Sequence, residues 1–553
     1  MKRVTSTLAA AGLLAALSWA ATTPTAGADE EAEGEVPRAL CSPDSYPETG
    51  LQGQVSREDR DSGRSQEGYS CNLSLVGQYQ GDGATWTQPS YEHCSYLGTF
   101  APGPLLQEQR GVHVLDVSDE TNPTFSTSLD STAALMGTWE SLKVDPVHGR
   151  LAMTGASVPP GVGVLAFDLY DIADDCTQPE LLNGLAGSLT IPMPVFGHEG
   201  AWSPDGQTYW AMAAGAGGVQ AIDVSDPANP RLIYTGTVGL TNHGVSFSPD
   251  GRTMYGVTMV PAGVQILDVS DIQDREPLPQ IRQIGSTSWT DGLLSQHTLN
   301  FTSDGHPYLF AVDEAGGGGV RLVDVADPGA PEVVRQYRLE INRPENAAQA
   351  SADTGGNGIF GYDAHYCSLD RQVDPTMLAC GYFQSGLRLF DITDPLNPRE
   401  LAYYQPPAQV GREAGTADAL VNSAHAWAVY APNALDPQYL GMHTVTGSLN
   451  PSMTTDWCTS QPEFRPDDTI WMTCQDNGFM VLAYEPYRLD VPEEPIEQPD
   501  RSAEPVDLGA GGGEVAAGDT LPDTGARRWA AVLAVVGAAL LGAGVLSARS
   551  RWT

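Results

Sequence analysis

The fragment GVQAIDVSDPANP, residues 218–230, decides the fold, because similar fragments recur along the chain. It begins as an apolar strand with alternating β-branched residues and ends in a turn with two aspartates and a proline. Aspartates in such turns accept hydrogen bonds from backbone N–H groups, so we expect them to be structural. Five clear and two degenerate copies occur: 111–123 (GVHVLDVSDETNP), 164–179 (VLAFDLYDIADDCTQP), 218–230, 263–277 (GVQILDVSDIQDREP), 319–331 (GVRLVDVADPGAP), 386–398 (GLRLFDITDPLNP) and 478–486 (GFMVLAYEP).

Each copy stands between further predicted strands. Upstream lies a strand pair joined by a turn, as in residues 201–215 (AWSPDGQTYWAMAAG) and 246–259 (SFSPDGRTMYGVTM). Downstream lies a fourth strand, as in residues 231–239 (RLIYTGTVG). Seven such units, at intervals of roughly 45 to 90 residues, predict an all-β, seven-bladed β-propeller with four-stranded antiparallel blades. The last unit lacks a fourth strand, and we expect residues 72–80 (NLSLVGQYQ) to supply it and so remove two exposed sheet edges.

This repeat pattern resembles the LVIVD-repeat propellers, which are named for strands such as Leu322-Val-Asp-Val325. The resemblance covers about residues 72–487. It implies the propeller fold, but it implies little about activity, because propellers host many functions.

The C-terminus carries a second resemblance. LPDTG precedes an apolar run, Trp529–Ser547, which as a helix would span roughly 28 Å, about one hydrocarbon core. Arg549 and Arg551 follow the run, although Arg527 and Arg528 also stand before it. This order resembles the LPxTG cell-wall sorting signal of Gram-positive surface proteins, which implies sortase and peptidoglycan as partners and cleavage between the last two motif residues. The alternative is an ordinary membrane anchor. The motif residues are Leu521, Pro522, Asp523, Thr524 and Gly525.

The N-terminus reads as a secretory signal peptide. Lys2 and Arg3 precede an apolar stretch at residues 8–21, and Ala26-Gly27-Ala28 is a typical cleavage site. The protein is therefore expected to be secreted, to be linked to the cell wall, and to touch the membrane only through its C-terminal span before sorting. The expected segments are a signal peptide (1–28), an irregular acidic lead-in (29–70), the propeller (71–487), a disordered acidic Pro- and Gly-rich stalk (488–520) and the sorting signal with its membrane helix (521–553).

The charge of the chain excludes some partners. The two processed ends carry six basic residues and no acidic ones, so the mature protein keeps 22 basic against 69 acidic residues, a net charge of −47. Such a surface repels nucleic acid and anionic lipid. Lysine is rare: the chain contains only Lys2 and Lys143.

The cysteine count of eight fits disulfide bonding outside the cell. Two pairs lie on adjacent strands of predicted hairpins, Cys367 with Cys380 and Cys458 with Cys474. The other four cysteines allow three connectivities, of which we favour Cys41–Cys71 with Cys94–Cys176.

Histidines recur at the first strand of four consecutive units. Alignment of the units places them in one column with two acids and, in the first blade, Thr87. Because first strands line the channel of a propeller, imidazoles and carboxylates would converge there, as ligands of Zn, Cu, Fe or Mn or as acid–base groups. His425 lies in an insertion, residues 406–455, that is expected to reach the same mouth. Structural hydrogen bonding within each blade is the alternative. The candidate ligands are His198, His243, His297, His365, Glu140, Asp456 and His425.

Three function hypotheses stay open. The first is a non-enzymatic, adhesion-type surface protein that binds an extracellular protein or glycan. The second is a metal-dependent extracellular enzyme, an oxidoreductase or lyase, whose cofactor is a divalent transition metal or calcium. The third is a structural wall component. The sequence favours the first, because its evidence is the delivery signals rather than a catalytic motif.

Replacement of Thr524 and Gly525 is expected to leave the protein in the membrane rather than linked to the wall, because the apolar run would still hold it there while no cleavable bond remains. The measurement is fractionation after digestion of the cell wall. If the unaltered protein also stays wholly in the membrane fraction, the LPDTG motif is a coincidence.

Overall fold

The computed structural model describes residues 35–81, 86–98, 108–155, 164–183, 189–192, 197–213, 217–239, 241–353, 361–410 and 455–487. The predicted signal peptide, the stalk, the LPDTG motif, the membrane span and His425 lie outside these residues. Within them, no helix has both the length and the apolar composition needed to cross a bilayer.

Seven antiparallel sheets make up the propeller, as the repeats predicted. Blade 1 consists of strands β3–β6, blade 2 of β7–β10, blade 3 of β12–β15, blade 4 of β16–β19, blade 5 of β20–β23, blade 6 of β24–β27, and blade 7 of β28–β30 with β2. The strands are β1 (Tyr69–Cys71), β2 (Leu73–Tyr79), β3 (Ser90–Tyr91), β4 (Cys94–Leu97), β5 (Val112–Asp116), β6 (Thr124–Leu129), β7 (Lys143–Asp145), β8 (Arg150–Gly155), β9 (Val164–Asp171), β10 (Glu180–Leu181), β11 (Leu189–Pro192), β12 (Glu199–Trp202), β13 (Thr208–Ala213), β14 (Gly218–Asp223), β15 (Arg231–Thr237), β16 (Val245–Phe247), β17 (Thr253–Met259), β18 (Ala262–Asp268), β19 (Arg282–Trp289), β20 (Leu293–Ser303), β21 (His306–Ala315), β22 (Gly319–Asp324), β23 (Glu332–Tyr337), β24 (Ala364–Leu369), β25 (Met377–Tyr382), β26 (Gly386–Asp391), β27 (Arg399–Gln405), β28 (Glu463–Phe464), β29 (Thr469–Cys474) and β30 (Gly478–Tyr484).

Helices are few and short among the described residues. None of these helices forms part of a blade; they lie in the segment before the propeller and in connections between strands. The α-helices are Arg57–Ser62, Thr132–Met136, Ser270–Gln273 and Ala347–Asp353, and the 3₁₀ turns are Arg64–Glu67, Glu340–Asn342 and Pro344–Asn346.

The repeated fragment forms the third strand of each blade and the turn after it. In blade 3, Asp223 accepts a hydrogen bond from the backbone N–H of Ser225 at 3.1 Å, and Asp226 accepts one from Ala228 at 3.3 Å. The corresponding aspartates of blades 1, 5 and 6 accept the same bonds. The predicted structural role of these acids is confirmed.

The core consists of apolar layers between neighbouring blades. Strand β14 is buried along its whole length. Val219 packs with Trp210 of the same blade and with Leu267 of blade 4 in one cluster, and a similar cluster joins blades 5 and 6 through Leu322 and Phe390. Burial on both faces explains why apolar residues stand on both faces of the repeat strand. The third position of the clear copies is the exception and holds a buried polar residue: His113, Gln220, Gln265, Arg321 and Arg388.

The N-terminal strand closes the propeller. Strand β2 pairs with β30, with Leu73 opposite Tyr484 and Tyr79 opposite Phe479. This pairing confirms the prediction for residues 72–80. The sequence did not predict β1, which adds a fifth strand to blade 6 by pairing with β27.

Four disulfides are present, and all four predicted pairings are confirmed. They are Cys41–Cys71, Cys94–Cys176, Cys367–Cys380 and Cys458–Cys474.

The segment before the propeller, residues 35–70, is fastened to blade 6 by a buried ion cluster. Arg388, on β26, is fully buried. Its guanidinium lies 2.9 Å from Glu48 of this segment and 3.0 Å from Glu400 of β27. A buried guanidinium between two carboxylates specifies where the segment sits more than it stabilises the fold.

The seam between blades 7 and 1 is sterically tight at Gly77, and this generates a prediction. A Cβ on Gly77 would lie 2.0 Å from the backbone oxygen of Glu120 in blade 1. We expect Gly77→Ala to lower the free energy of unfolding by about 1–3 kcal/mol, because backbone must shift to admit the methyl group. Urea denaturation measures the loss.

Gly256→Ala is the matched control for this prediction. A Cβ there would meet its nearest neighbour, the Gln265 side chain, at an ordinary 3.5 Å. Equal losses of unfolding free energy in Gly77→Ala and Gly256→Ala would contradict the steric crowding at the seam between blades 7 and 1.

Candidate metal centre

The pairing register identifies one equivalent position per blade at the start of the first strand. In blade 3, Glu199 pairs with Met212 and His198 stands before it. In blades 5 and 6 the equivalent residues, Gln296 and His365, are the unpaired residues of β-bulges. The contacts between the first and second strands of blades 1, 2, 4 and 7 identify the equivalent residue in each of those blades. We call this set the channel ring: Trp86, Glu140, His198, His243, Gln296, His365 and Thr459.

The structure brings four of the predicted candidates into the channel ring and places two elsewhere. His297 stands one residue beyond the ring position, and its Nε2 lies 3.2 Å from the backbone nitrogen of Cys367. Asp456 accepts hydrogen bonds from the backbone N–H groups of Trp457, Asp476 and Asn477 at 2.7–2.9 Å. Thr459, not Asp456, is therefore the ring residue of blade 7.

The hairpin length of blade 5 explains the displacement of His297. Alignment on the turn aspartates matches His297 and Asp304 with His198 and Asp205. The register shows that blade 5 has one more residue between ring and turn, so that Gln296 takes the ring position. A slip of one residue moves a side chain to the other face of a strand. In blade 1, Thr87 itself pairs with Gly98, so Trp86 before it, rather than Thr87, is the ring residue.

Glu140 lies at the middle of the contacts within the channel ring. Its Oε2 is 2.7 Å from Nε2 of His198. Its Oε1 accepts a hydrogen bond from the indole of Trp86 and lies 3.4 Å from Nε2 of His365. The imidazoles of His198 and His243 meet edge to face at 4.9 Å. One ligand atom from each of Glu140, His198 and His243 falls within 4.8 Å of the others, a spacing that suits a shared metal ion.

Two polar atoms in this triad are buried without a hydrogen-bond partner. They are Oε2 of Glu140 and Nδ1 of His243. Oε2 of Glu140 does form an ion pair with Nε2 of His198 at 2.7 Å, whereas the charged group nearest to Nδ1 of His243, Glu199, is 3.7 Å away. Buried polar groups in proteins are nearly always satisfied. A cation between the three side chains would satisfy them, and the residues therefore fit a metal ion.

The charges of two of the three side chains, Glu140 and His243, also suit a metal ion. Burial alone would raise the pKa of the Glu140 carboxyl, but His198 and the other nearby imidazoles hold it well below its usual range. Burial and the neighbouring His198 lower the pKa of His243 well below that of a free histidine. At neutral pH Glu140 is therefore a carboxylate and His243 a neutral imidazole, which are the forms that bind metals. Burial opposes protonation of His198, but the adjacent Glu140 raises its pKa above that of a free histidine, so this imidazole releases its proton less readily when a metal ion binds.

A second layer of side chains lies beside the triad. Glu199 receives a hydrogen bond from the hydroxyl of Tyr366 and lies 2.9 Å from Nζ of Lys143. Its Oε2 is 3.7 Å from Nδ1 of His243. Burial raises the pKa of Glu199 to about 7, and Lys143 opposes that rise. Because Nδ1 is the atom of His243 that a metal ion would take, Glu199 lies beside the site and does not orient the imidazole through its other nitrogen.

Another cluster of metal-binding residue types does not qualify. His93 lies 3.7 Å from the sulfur of Cys176, next to Cys94. Both sulfurs belong to a disulfide, so they are not thiolate ligands.

No protein-family model matches this chain, and no curated protein sequence matches it. Similar solved structures include a protein provisionally named 6-phosphogluconolactonase from Bacteroides uniformis, with 12% identity, a TM-score of 0.44 and coverage of 70% of this chain and 91% of that one. Hydrazine synthase of Kuenenia stuttgartiensis has 12% identity and a TM-score of 0.41, and the match covers 72% of this chain and 95% of that one. A functionally unknown protein from Desulfotomaculum acetoxidans has 13% identity and a TM-score of 0.39, and the match covers 58% of this chain and 84% of that one. At this level of similarity we infer no activity from them.

The Lys143–Glu199 pair generates a stability prediction. We expect Lys143→Met to lower the free energy of unfolding at pH 8 by about 1–3 kcal/mol, because the buried Glu199 carboxylate loses its cation. The measurement is urea denaturation.

Arg57→Met is the matched control, because the ion pair of Arg57 with Asp61 is exposed, with side chains 72% and 77% accessible. Exposed pairs contribute about 0–1 kcal/mol, so this variant should unfold nearly as the unaltered protein does. A loss in Arg57→Met as large as that in Lys143→Met would contradict the buried pair.

Proposed function

We propose that this protein is a secreted, cell-wall-linked β-propeller that binds a divalent transition-metal ion in its channel through Glu140, His198 and His243. The observation that carries the proposal is the convergence of these three side chains with two buried polar atoms that lack hydrogen-bond partners. Secretion and wall attachment rest on the signal peptide and the sorting signal predicted from the sequence.

The donor set favours a particular class of metal. Two imidazoles and one carboxylate are the ligands of catalytic zinc and of non-haem iron. Calcium takes six to eight oxygen ligands, so a triad with two nitrogens suits it poorly. The surrounding charge favours cations in general, since the chain carries a net charge of −41.

A metal-dependent enzyme is thus favoured over a purely structural wall component. An adhesion-type role has only the delivery signals in its support. The enzyme hypothesis and the adhesion hypothesis differ in what they require of the channel, because an adhesion-type protein needs no metal ion there.

Elemental analysis of the purified full-length chain, prepared without chelator, tests the proposal. We expect about one zinc, iron, manganese or copper ion per folded chain. The variants Glu140→Gln, His198→Gln and His243→Gln should each lose most of the metal, because each removes one of three protein ligands. His297→Gln is the matched control and should retain it, because that imidazole lies outside the triad.

Two results would overturn the metal centre. One is a folded protein, checked by circular dichroism, that contains no metal and takes up none on dialysis; this result would favour adhesion. The other is undiminished metal in all three ligand variants.

A further inference from the structure

We infer that a cavity between blades 1 and 2 binds an uncharged sugar of monosaccharide size. The described lining of this cavity shares no residue with the channel ring. The inference therefore goes beyond the proposed function and does not depend on the metal centre.

The cavity has a volume of about 460 Å³, which is within the range of small-molecule sites in proteins. One wall is formed by the end of β6, in blade 1, and by the connection that follows it at residues 130–135. The other wall belongs to blade 2 and includes Tyr170 of β9, Gln178 and Leu181 of β10. Nε2 of Gln178 donates a hydrogen bond to Oγ of Ser126 at 3.0 Å, so the two blades are joined beside the cavity.

Ser131, in the lining, has a hydroxyl group that the fold leaves unused. It is the N-cap residue of the short helix Thr132–Met136, yet its side chain makes no capping hydrogen bond. An N-cap serine normally accepts a hydrogen bond from the first turn of its helix. Here Oδ2 of Asp168 accepts the hydrogen bond from the backbone N–H of Ala133 instead, at 2.6 Å. Oγ of Ser131 is buried without a hydrogen-bond partner, and the residue is only 9% exposed.

The neighbours of Ser131 indicate which group its oxygen can take as a partner. Burial raises the pKa of Asp168 to about 6, and the hydroxyl of Ser131 opposes that rise. A serine hydroxyl has one proton and two lone pairs, so a proton turned toward Asp168 leaves the oxygen as an acceptor. A buried acceptor of this kind is satisfied by a donor that arrives with a ligand.

Tyr170 adds a second hydroxyl beside Ser131. Burial raises the pKa of Tyr170 to about 12, and Ser131 opposes that rise. At neutral pH the phenol is therefore protonated and can both donate and accept a hydrogen bond. A ligand hydroxyl, which also donates and accepts, suits this pair of side chains.

The rest of the lining favours a sugar without charge. Thr127 and Ser128 add further hydroxyl groups, whereas Leu135 and Leu181 are apolar. A pyranose has hydroxyl groups around its edge and C–H groups on its faces, so it matches a lining of both kinds. Asp130 is the only charged residue in the described lining. An anionic ligand would be repelled by this carboxylate and would find no cation to offset the repulsion.

Calorimetric titration of the full-length protein with glucose, galactose, mannose and N-acetylglucosamine tests the inference. We expect at least one of these sugars to bind with a dissociation constant of about 10 mM or lower. Glucuronate and galacturonate should bind at least about tenfold more weakly than that sugar, because Asp130 repels them. Tighter binding of an oligosaccharide of the same sugar indicates a polysaccharide as the source of the ligand, and weaker binding indicates the free monosaccharide.

Two variants locate the sugar. Ser131→Ala and Tyr170→Phe each remove one hydroxyl group from the cavity, and each should weaken binding about three- to tenfold. Ser95→Ala is the matched control, because Oγ of Ser95 is also buried without a partner but lies on β4, outside the described lining. It should bind the sugar as the unaltered protein does. Thermal unfolding is measured for every variant, and Ser131→Ala should keep its stability because it removes no capping hydrogen bond.

Three results would overturn the inference. One is that none of the four sugars binds at about 10 mM or lower. Another is that a uronate binds as tightly as the best neutral sugar. The third is equal sugar affinity in the unaltered protein, in Ser131→Ala and in Tyr170→Phe, because the sugar then binds elsewhere. The metal content is measured separately, so none of these results affects the proposed metal centre.

Discussion

The pairing of β2 with β30 is the constraint on which the rest of the structure depends. Each blade buries its apolar faces only against two neighbours, so an open row of seven would leave two faces in water. Closure gives blade 7 its fourth strand and brings it against blade 1. It also completes the channel ring, since Thr459 of blade 7 donates a hydrogen bond to the backbone oxygen of Trp86 at 3.0 Å. The candidate metal centre thus rests on a contact between the two ends of the propeller.

In the channel ring, the stability of the fold and the chemistry of the candidate site favour different types of residue. Glu140, Glu199 and Glu314 are buried beside one another, and burial disfavours the ionised form of each. Lys143 and the imidazoles offset part of that cost. A core selected for stability alone would be apolar at these positions. Residues that break the rule for burial are expected where a protein has a function to perform.

The sequence predicted the blades well because their signal is local. The fragment at 218–230 specifies a strand and its turn through its own residues, and the cysteine pairs of blades 6 and 7 follow from hairpin geometry. The site was harder to predict. Gln296 was missed because the extra residue in the hairpin of blade 5 shows only in the pairing register. Lys143, which supports Glu199, gives no signal except its rarity.

The closing strand also determines how the protein bears mechanical load. Strand β30 is the last element of the propeller, yet it lies between β2 and β29 rather than at a sheet edge. A force that pulls the chain after Tyr484 along the direction of the strand therefore acts on two rows of backbone hydrogen bonds at once. Such bonds are sheared together, whereas an edge strand is peeled away one bond at a time. A protein held by its C-terminus in flowing liquid would be pulled at its more resistant point.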